Sequence, residues 1–418
     1  MKEIKRDIYL EKLINRKENG LIKIITGIRR CGKSYLLFNL FYDYLLSCGI
    51  EETRITKIAL DDINNKKLRD PLMLESYIKD TLKDEEMHYV FLDEIQMVNE
   101  FEQVLNGINR LPNLDIYVTG SNSKFLSTDI LTEFRGRGDE IRIYPLSFSE
   151  FASVFQGDIE VAWNEYFTYG GLPMILSLKT DEQKSNYLST LFQKVYIADI
   201  IDRNNLQKDS VLEAITNILA SSIGSLTNPK KIVKTFQSSG NKNISDKTIS
   251  LYINSLIEAF VINKVERFNI KGKKYISTPS KYYFSDIGLR NSRLNFRQQE
   301  ENHIMENIIY NELLIRGFNV DVGIIEHNSI DLNGKKIRKQ LEVDFVCNQG
   351  NKRYYIQSAF SIPDSSKMEQ EQNSLIRIND SFRKIIVTKD NVKLWRNEHG
   401  VTIMGIYEFL LNKESLDL

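Results

Sequence analysis

The sequence contains few cysteines, no excess of either charge and no long apolar run. Its 418 residues include only three cysteines, Cys31, Cys48 and Cys347. Their spacing matches no zinc site, so free thiols in a reducing compartment are expected. Lys plus Arg and Asp plus Glu each number 56, which makes the formal net charge zero. A global field that attracts nucleic acid or membrane is therefore excluded, and any such surface must be local.

Two other absences concern the location of the protein. No apolar run approaches the roughly 18 residues that a spanning helix needs. The opening stretch "MKEIKRDIYLEKLI" also lacks the apolar core of a signal peptide. We therefore expect a cytoplasmic protein that has no membrane partner. A chain of 418 residues is too long for one compact domain and indicates two to four.

The most informative motif is "GIRRCGKS", which lies between the apolar runs "LIKII" and "YLLFNLFYDYLL". Its spacing is G-x-x-x-x-G-K-[ST], in which a glycine-bounded loop and a helix N-terminus bind a phosphate chain. Lys33 is predicted to contact the β- and γ-phosphates of ATP, and the Ser34 hydroxyl to ligate Mg²⁺. The full set of candidate nucleotide-binding residues in this loop is Gly27, Ile28, Arg29, Arg30, Cys31, Gly32, Lys33, Ser34 and Tyr35.

Five strand-like runs alternate with stretches long enough for helices, which predicts a parallel α/β sheet. The runs are "LIKIITG", "RITKIALDD", "HYVFLDE", "LDIYVTGS" and "DEIRIYPL". The third run ends in Asp93 and Glu94. We assign Asp93 to Mg²⁺ and Glu94 to the general base that polarises water. The alternative is an acidic strand end that only caps the next helix.

Five ordered stretches carry a resemblance to a known family: "TGIRRCGKS", "VFLDEIQ", "VTGSNS", "GR" before "YPLSFSEF", and "YFTYGGLP". Over nearly the whole chain the sequence resembles the prokaryotic ATPases of the AAA+ class that carry a C-terminal domain of unknown function. The resemblance implies a helical lid after the sheet, in which "GGLP" presses on bound nucleotide through Gly171 and Pro173. The alternative is a helix that ends at Gly-Gly, followed by a Pro at the next helix start.

Other candidate residues follow the fourth strand. Ser121 or Asn122 is the candidate contact to the γ-phosphate, with Thr119 a weaker one, and ordinary turn chemistry is an equal alternative. Arg135 and Arg137 precede the fifth strand, where an arginine could reach the γ-phosphate of a neighbouring subunit. Solvated surface arginine is the alternative for each of them, and Arg110 is a weaker competitor for the same task.

The middle of the chain reads as a winged helix-turn-helix. Ser245 is a candidate N-cap of a helix with an apolar face, and a hairpin follows with Lys271, Lys273 and Lys274 in its loop. Lys247 lies on the polar face of the helix, together with Thr248, Ser250 and Asn254. This pattern predicts DNA contact. The alternative is a packing module whose lysines are a normal solvated edge.

The last part of the chain resembles the restriction-endonuclease-like fold. Position by position, Glu306 matches the helix carboxylate, Asp344 the strand carboxylate, and Gln357 the first member of the final motif. The position of the motif's lysine holds Ala359, which can neither orient water nor stabilise charge on a phosphate. The resemblance therefore implies a degenerate domain that grips DNA or a partner without cleaving. The two carboxylates could still bind a divalent ion weakly, and Lys352 or Lys367 could substitute for the missing lysine.

These observations predict four domains: an AAA+ ATPase core at 1–156, a helical lid at 157–206, a winged helix at 207–290 and a restriction-endonuclease-like α/β domain at 291–418. The leading hypothesis is an ATP-driven DNA motor or remodeller that acts on branched DNA or junctions as a homo-oligomer, a hexameric ring. A nucleotide switch in signalling or defence is the first alternative, and an ATP-regulated nuclease is the second.

Overall fold

The computed structural model describes residues 3–120, 134, 136–204, 209–238, 244–297, 300–330, 336–390 and 392–418. The chain forms two compact units. Unit 1 comprises Met1–Pro145 with the short segments Leu172–Ser177 and Glu258–Phe260, and unit 2 comprises the rest. Within the described ranges, no helix has both the length and the hydropathy required to cross a membrane.

The strands are β1 (Ile22–Thr26), β2 (Ile55–Ala59), β3 (His88–Asp93), β4 (Leu114–Gly120), β5 (Gly138–Arg142), β6 (Ile262–Asn269), β7 (Lys274–Phe284), β8 (Asn319–Ile330), β9 (Lys336–Gln349), β10 (Lys352–Ala359), β11 (Arg383–Thr388), β12 (Trp395–Arg396) and β13 (Val401–Gly405). The α-helices are α1 (Asp7–Ile14), α2 (Lys33–Tyr35), α3 (Tyr42–Ser47), α4 (Pro71–Thr81), α5 (Phe101–Ile108), α6 (Phe148–Val154), α7 (Ile159–Tyr169), α8 (Asp181–Leu191), α9 (Ala198–Asn204), α10 (Asp209–Ser221), α11 (Pro229–Ser238), α12 (Asp246–Glu258), α13 (Ile287–Arg293), α14 (Glu301–Ile315), α15 (Ser365–Ile376) and α16 (Ile406–Leu411). A π-helical turn, Leu36–Phe41, joins α2 to α3.

Unit 1 contains a five-stranded sheet in the order β2-β3-β4-β1-β5. All of its pairings are parallel, so the five predicted strands and the predicted parallel α/β sheet are confirmed. Side chains alternate between the two faces of the sheet, because successive residues of a strand point to opposite sides. Aliphatic residues such as Val90 and Leu92 join one apolar core with α4 and α5. On the other face, Phe91 and Tyr117 pack against Phe41.

A buried ion pair lies at the start of β1 and β4. The ammonium of Lys23 contacts Oδ1 of Asp115, and the two side chains are 0% and 3% exposed. Lys23 also donates to the carbonyl of Leu21 at 2.8 Å. The other carboxylate oxygen accepts from Tyr117 Oη at 2.8 Å and from the backbone N–H of Glu18 at 2.9 Å. This network ties the neighbouring strands β1 and β4 together at their N-terminal ends.

Unit 2 contains an eight-stranded mixed sheet in the order β12-β13-β11-β10-β9-β8-β6-β7. The predicted β6–β7 hairpin is confirmed, and its turn is tight because Asn269 pairs with Lys274. The first strand of the hairpin also pairs in parallel with β8. The hairpin and the C-terminal strands therefore share one sheet, and the domain boundary predicted at residue 290 falls between elements of that sheet.

Helix α14 crosses unit 2 beside the end of β7. Asn307 holds it there, because its amide accepts from the backbone N–H of Phe284 at 2.7 Å and donates to the carbonyl of the same residue at 2.8 Å. Asn311 donates to that carbonyl as well, at 3.0 Å. A side-chain amide can satisfy a backbone N–H and C=O together, so these two residues determine the position of α14 along the strand.

The Lys23–Asp115 pair generates a stability prediction. Lys23→Met leaves a buried carboxylate without its cation, and we expect the free energy of unfolding to fall by about 3–5 kcal/mol. Adding Asp115→Asn removes the unpaired charge and restores part of the loss. Lys79→Met is the control. Lys79 pairs with Glu75 at the surface, and the two side chains are 51% and 31% exposed. Loss of this exposed pair should lower the free energy of unfolding by about 0.5 kcal/mol or less. Urea unfolding followed by circular dichroism measures all four proteins. Equal midpoints for the single and double variants would contradict the prediction.

Candidate functional site

The loop Gly27–Ser34 connects the end of β1 to α2 at the C-terminal edge of the unit 1 sheet. Gly27 has φ 145° and Gly32 has φ 101°, a region that glycine adopts without strain. A Cβ on Gly27 would lie 2.2 Å from the carbonyl oxygen of Ile143, so the start of the loop is pressed against the chain that follows β5. Glycine is therefore required there for space as well as for conformation.

Lys33 is buried, and its side chain turns back into the loop. Its ammonium donates to the carbonyl of Gly27 at 2.9 Å and to that of Ile28 at 3.3 Å. The other predicted residues of the loop surround these contacts: Cys31 is buried, Arg29 is half-buried, and Arg30 and Tyr35 are exposed. The ammonium of Lys33, which is predicted to contact phosphate oxygens, is therefore held in the loop by hydrogen bonds to backbone carbonyls of the same loop.

Arg6 braces the loop from outside the motif. One guanidinium nitrogen donates to the carbonyl of Cys31 at 3.0 Å, and another donates to the carbonyl of Tyr144 at 2.7 Å. The guanidinium also stacks over the ring of Tyr9, at 4.6 Å from its centroid. Sequence reasoning missed Arg6, because an arginine 21 residues before the motif has no local pattern that connects it to the loop.

Asp93 joins the two predicted motifs. The hydroxyl of Ser34 contacts both carboxylate oxygens of Asp93, at 3.0 and 2.8 Å. Thr119, at the end of β4, donates to Asp93 Oδ1 at 2.5 Å, and its oxygen accepts from the backbone N–H of Glu94 at 3.1 Å. Thr119, from sequence only a weak candidate contact to phosphate, orients both acidic residues in the structure.

Burial raises the pKa of Asp93 above its ordinary value, although hydrogen bonds from Thr119 and Ser34 oppose that shift. The neighbouring carboxylates of Glu94 and Asp61 raise the pKa further. A nearby cation favours the ionised carboxylate. A carboxylate and a hydroxyl oxygen that already touch each other are ligands of the kind that Mg²⁺ takes. Ser34 and Asp93 therefore fit the predicted metal site, and they are the residues that would hold the ion.

Glu94 adopts a left-handed conformation, with φ 53°, directly after β3. Its side chain is half-buried. Its Oε2 accepts a hydrogen bond from Nε2 of Gln96. Gln96 belongs to the stretch "VFLDEIQ", but its role could not be predicted from sequence. The amide thus positions the carboxylate that is predicted to act on water.

Three predicted residues, Ser121, Asn122 and Arg135, lie outside the described residues. Arg137 is described, and it directly precedes β5, where its carbonyl accepts from the backbone N–H of Ile22 at 2.8 Å. It therefore lies at the sheet edge opposite to the loop Gly27–Ser34, with its side chain exposed. Within one chain Arg137 does not join the other predicted catalytic residues, and its action on a neighbouring subunit stays a prediction.

The "GGLP" glycines lie where two helices of unit 2, α7 and α13, pack closely against each other. The backbone N–H of Gly171 donates to Asp286 Oδ2 at 2.8 Å. A Cβ on Gly170 would lie 2.3 Å from the other oxygen of Asp286, and one on Gly288 would lie 2.0 Å from the carbonyl oxygen of Tyr169. The glycines allow the end of α7 to approach the start of α13, which explains them without reference to nucleotide.

Pro173 begins a short 3₁₀ turn, Pro173–Ser177, that belongs to unit 1. The side chain is half-buried. The preceding glycines belong to unit 2, so the motif is divided between the two units. The predicted response of Pro173 to bound nucleotide stays a prediction.

The candidate DNA-binding lysines are all exposed. Lys247 lies in the first turn of α12, where Ser245 Oγ accepts from the backbone N–H of Thr248 at 3.1 Å, as predicted for an N-cap. Lys271 and Lys273 lie in the turn of the β6–β7 hairpin. Lys274 is the first residue of β7, although the sequence analysis had it in the loop. The order helix, then hairpin with a basic tip, is therefore present.

The carboxylates predicted in the last part of the chain come together. Glu306 on α14 is 6% exposed and Asp344 on β9 is 7% exposed. Gln357 on β10 accepts from the backbone N–H of Asp344 at 3.4 Å. All three line a cavity of about 650 Å³, together with Ala359. The predicted grouping is thus present, and the resemblance to a nuclease fold stays a prediction.

Neither lysine proposed as a substitute enters this group. Lys352 pairs with Asp417 at 2.8 Å and is half exposed. Lys367 lines the cavity but pairs with Glu371 at 2.6 Å. The cation that does enter is Lys281, on β7, which pairs with Glu306 at 2.7 Å. Sequence reasoning missed it, because Lys281 lies 25 residues before Glu306 on a strand that was assigned to another domain.

Comparison with known proteins identifies family models for two regions. A model described as an AAA domain matches residues 19–152, and one described as a domain of unknown function, DUF8612, matches residues 160–300. The first match contains the loop, Asp93 and Glu94, and it agrees with the parallel sheet of unit 1.

Solved structures match the chain only at low similarity. The Aeropyrum pernix ORC1 protein in complex with DNA is 12% identical, covers 70% of this chain and 93% of its own, and gives a TM-score of 0.32. A DNA replication initiation factor is 14% identical, with 60% and 86% covered and a TM-score of 0.31. TM-scores of this size support no inference about function.

Two curated relatives extend over almost the entire chain. An uncharacterized protein of Methanocaldococcus jannaschii, MJ1544, is 28% identical over an alignment of 432 residues. The alignment covers 98% of this chain and 91% of the relative. An uncharacterized protein of Haemophilus influenzae is 33% identical over 414 residues, 98% of each chain. The chain therefore belongs to a family of prokaryotic proteins in which an AAA domain of the P-loop ATPase fold precedes a C-terminal domain of unknown function.

Proposed function

We propose that the protein hydrolyses ATP at the C-terminal edge of the unit 1 sheet and couples turnover to the remodelling or translocation of DNA. The observation that carries the ATPase proposal is the contact of Ser34 Oγ with both oxygens of Asp93. This contact joins the phosphate-loop motif to the acidic strand end. It also supports ATP and Mg²⁺ as the cofactors.

The residues divide the reaction between them. Backbone N–H groups of the loop and the ammonium of Lys33 would bind the phosphate chain, while Ser34 and Asp93 would hold the metal. Mg²⁺, when bound with ATP, neutralises negative charge on the β- and γ-phosphates. Glu94 accepts a proton from the attacking water, and Thr119 and Gln96 keep its backbone and carboxylate in position. Bringing these groups together before reaction lowers the cost of orienting them during it.

The surface chemistry of unit 2 supports DNA as the partner. The hairpin tip presents the exposed ammonium groups of Lys271, Lys273 and Lys274, and Lys247 is exposed on the preceding helix. With a net charge of zero for the chain, such a local group of cations is the feature that phosphate contact requires. A winged-helix arrangement uses a helix and a basic hairpin in this order.

The position of Arg137 supports the proposal of an oligomeric ring. Its exposed side chain lies at the sheet edge away from the loop of its own chain, so it can act on phosphate only if a second subunit presents a site to it. Arginines supplied in this way stabilise the negative charge of the transition state. We therefore propose a homo-oligomer, a hexameric ring, with shared ATPase sites.

Substitutions at Lys33 and Glu94 test the ATPase site. Lys33→Ala should abolish ATP binding, because the phosphate chain loses its buried cation. Glu94→Gln should keep binding and slow hydrolysis by about a hundredfold or more, as expected for loss of a general base. Glu100→Gln is the matched control, an exposed glutamate that shares φ 53° with Glu94. Turnover and nucleotide affinity are measured separately, with and without duplex, single-stranded and branched DNA. Near-normal turnover in Glu94→Gln would favour a nucleotide-holding switch instead.

Mixed oligomers test the shared site. Arg137→Ala should leave ATP affinity nearly unchanged and reduce turnover steeply, and Arg110→Ala, which alters another exposed arginine of unit 1, should not. When Arg137→Ala protein is mixed with Lys33→Ala protein, some interfaces pair an intact loop with an intact arginine. Turnover should then partly return. If every mixing ratio stays inactive, Arg137 does not act across subunits.

Charge reversal at the hairpin tip tests DNA contact. Changing Lys271, Lys273 and Lys274 to Glu should weaken duplex DNA binding and reduce its salt dependence, because each lost phosphate contact removes about 0.9 from the slope of log affinity against log salt. Fluorescence anisotropy at several salt concentrations measures both quantities.

The matched control makes the same charge change elsewhere in unit 2. It alters three exposed lysines that are scattered along the sequence, namely Lys179, Lys393 and Lys413. If this control protein loses as much affinity and slope as the hairpin variant, the effect is one of net charge. If neither protein changes, the hairpin is a packing module.

A further inference from the structure

A buried cation lies among the acidic residues of unit 2. We define the carboxylate cluster as Glu306 on α14 with Glu342 and Asp344 on β9. Nζ of Lys281 lies 2.7 Å from Glu306 Oε1, 2.7 Å from Glu342 Oε1 and 3.6 Å from Asp344 Oδ1. Its side chain is 4% exposed, so the ammonium meets carboxylates in place of water.

The backbone explains how these groups meet. Successive side chains of a strand point to opposite faces, so Glu342 and Asp344 share one face of β9. The same alternation places Tyr283 beside Lys281 on β7, and the Tyr283 hydroxyl donates to Glu306 Oε1. Asn307, the residue after Glu306, binds the backbone of β7. Glu306 is thereby held against the lysine by its own helix.

The charge of the lysine is opposite to that of the cluster around it. An ammonium group has three donors and no acceptor. Glu306 Oε1 accepts a hydrogen bond from it at 2.7 Å, while Glu342 Oε1 and Asp344 Oδ1 lie within ion-pair distance. The acidic residues keep the pKa of Lys281 above its ordinary value although burial alone would lower it, and burial together with Glu306 raises the pKa of Asp344 to about 8. Two of the other oxygens have partners: Asp344 Oδ2 accepts from the backbone N–H of Ser358 at 2.9 Å, and Glu306 Oε2 lies 3.3 Å from His303 Nδ1.

We propose that Lys281 is the permanent cation of the carboxylate cluster and that it keeps divalent metal ions out. A Mg²⁺ ion requires its oxygen ligands at about 2.0–2.1 Å. Any ion bound to Glu306 Oε1 would therefore lie close to an ammonium that is 2.7 Å from the same oxygen. Two cations this close repel strongly in a buried site. Among the described residues, no group of three or more His, Cys, Asp or Glu side chains is arranged to hold a metal.

The inference goes beyond the proposed function, because neither ATP hydrolysis nor DNA contact enters into it. It also bears on Ala359, which stands where the nuclease-like motif would have a lysine. The cation reaches the carboxylates from β7, as Lys281, and not from β10, where position 359 holds Ala. The cluster therefore holds α14, β7 and β9 together without metal, and we expect the purified protein to leave DNA uncut in Mg²⁺ or Mn²⁺.

The first test measures Mn²⁺ binding to the nucleotide-free full chain by electron paramagnetic resonance. Wild-type protein and Asp344→Asn are compared, because both retain the unit 1 site and differ only in the cluster. We expect the same number of bound ions and the same affinity in both. A Mn²⁺ site that is present in the wild type and lost in Asp344→Asn would overturn the proposal.

The second test removes the cation. Lys281→Met should lower the melting temperature by roughly 10 °C, because buried carboxylates lose their partner. Lys352→Met, which alters an exposed lysine of the same unit, should have little effect. Saturating Mn²⁺ should restore at least half of the loss in Lys281→Met, and none in Lys281→Met combined with Asp344→Asn.

Two results of this second test contradict the proposal. One is a Lys281→Met protein as stable as the wild type, and the other is a destabilised protein on which Mn²⁺ has no effect. If Lys281→Met does not fold in the absence of metal, purification with and without Mn²⁺ replaces the melting curve. Recovery of folded protein only with Mn²⁺ then supports the proposal, and failure under both conditions counts against it.

Discussion

The candidate ATPase site depends on five parallel strands that end at the same edge of one sheet. With β1 between β4 and β5, and β4 between β1 and β3, the loop after β1 faces the ends of β3 and β4. This order is what allows Ser34, Asp93 and Thr119 to hydrogen-bond, although they are separated by up to 85 residues in the chain. A change in strand order would leave each motif intact and separate the groups.

Buried lysines organise both units. Lys23 joins β1 to β4 at the edge opposite to the candidate site, and Lys281 joins β7 to the carboxylates of α14 and β9. A buried ion pair contributes little net stability relative to an apolar pair, but an unpaired buried charge is costly. Each lysine would therefore cost stability if its strand lost these neighbours.

The two glycine motifs illustrate how similar residues meet different demands. Gly27 is needed because the phosphate loop passes close to the carbonyl of Ile143, whereas Gly170 and Gly288 are needed because two helices meet within unit 2. The "GGLP" motif resembles a nucleotide sensor in sequence, yet Asp286 and the α7–α13 packing account for its glycines. Spacing alone does not distinguish close approach to a ligand from close approach to backbone.

The sequence by itself determined the elements whose signals are local. The five strands of unit 1, the loop Gly27–Ser34, the acidic strand end at Asp93 and Glu94, the N-cap at Ser245 and the basic hairpin could all be predicted, because alternation and turn chemistry act over a few residues. Only the tertiary structure decided which distant groups meet. The phosphate loop is positioned by Arg6, and the acidic residues after β3 are positioned by Thr119 and Gln96. Lys281 contacts the carboxylate cluster from a strand that was predicted to belong to another domain. Such contacts depend on sheet order and helix placement, which the packing of the whole chain sets and which leave no periodic trace in the sequence.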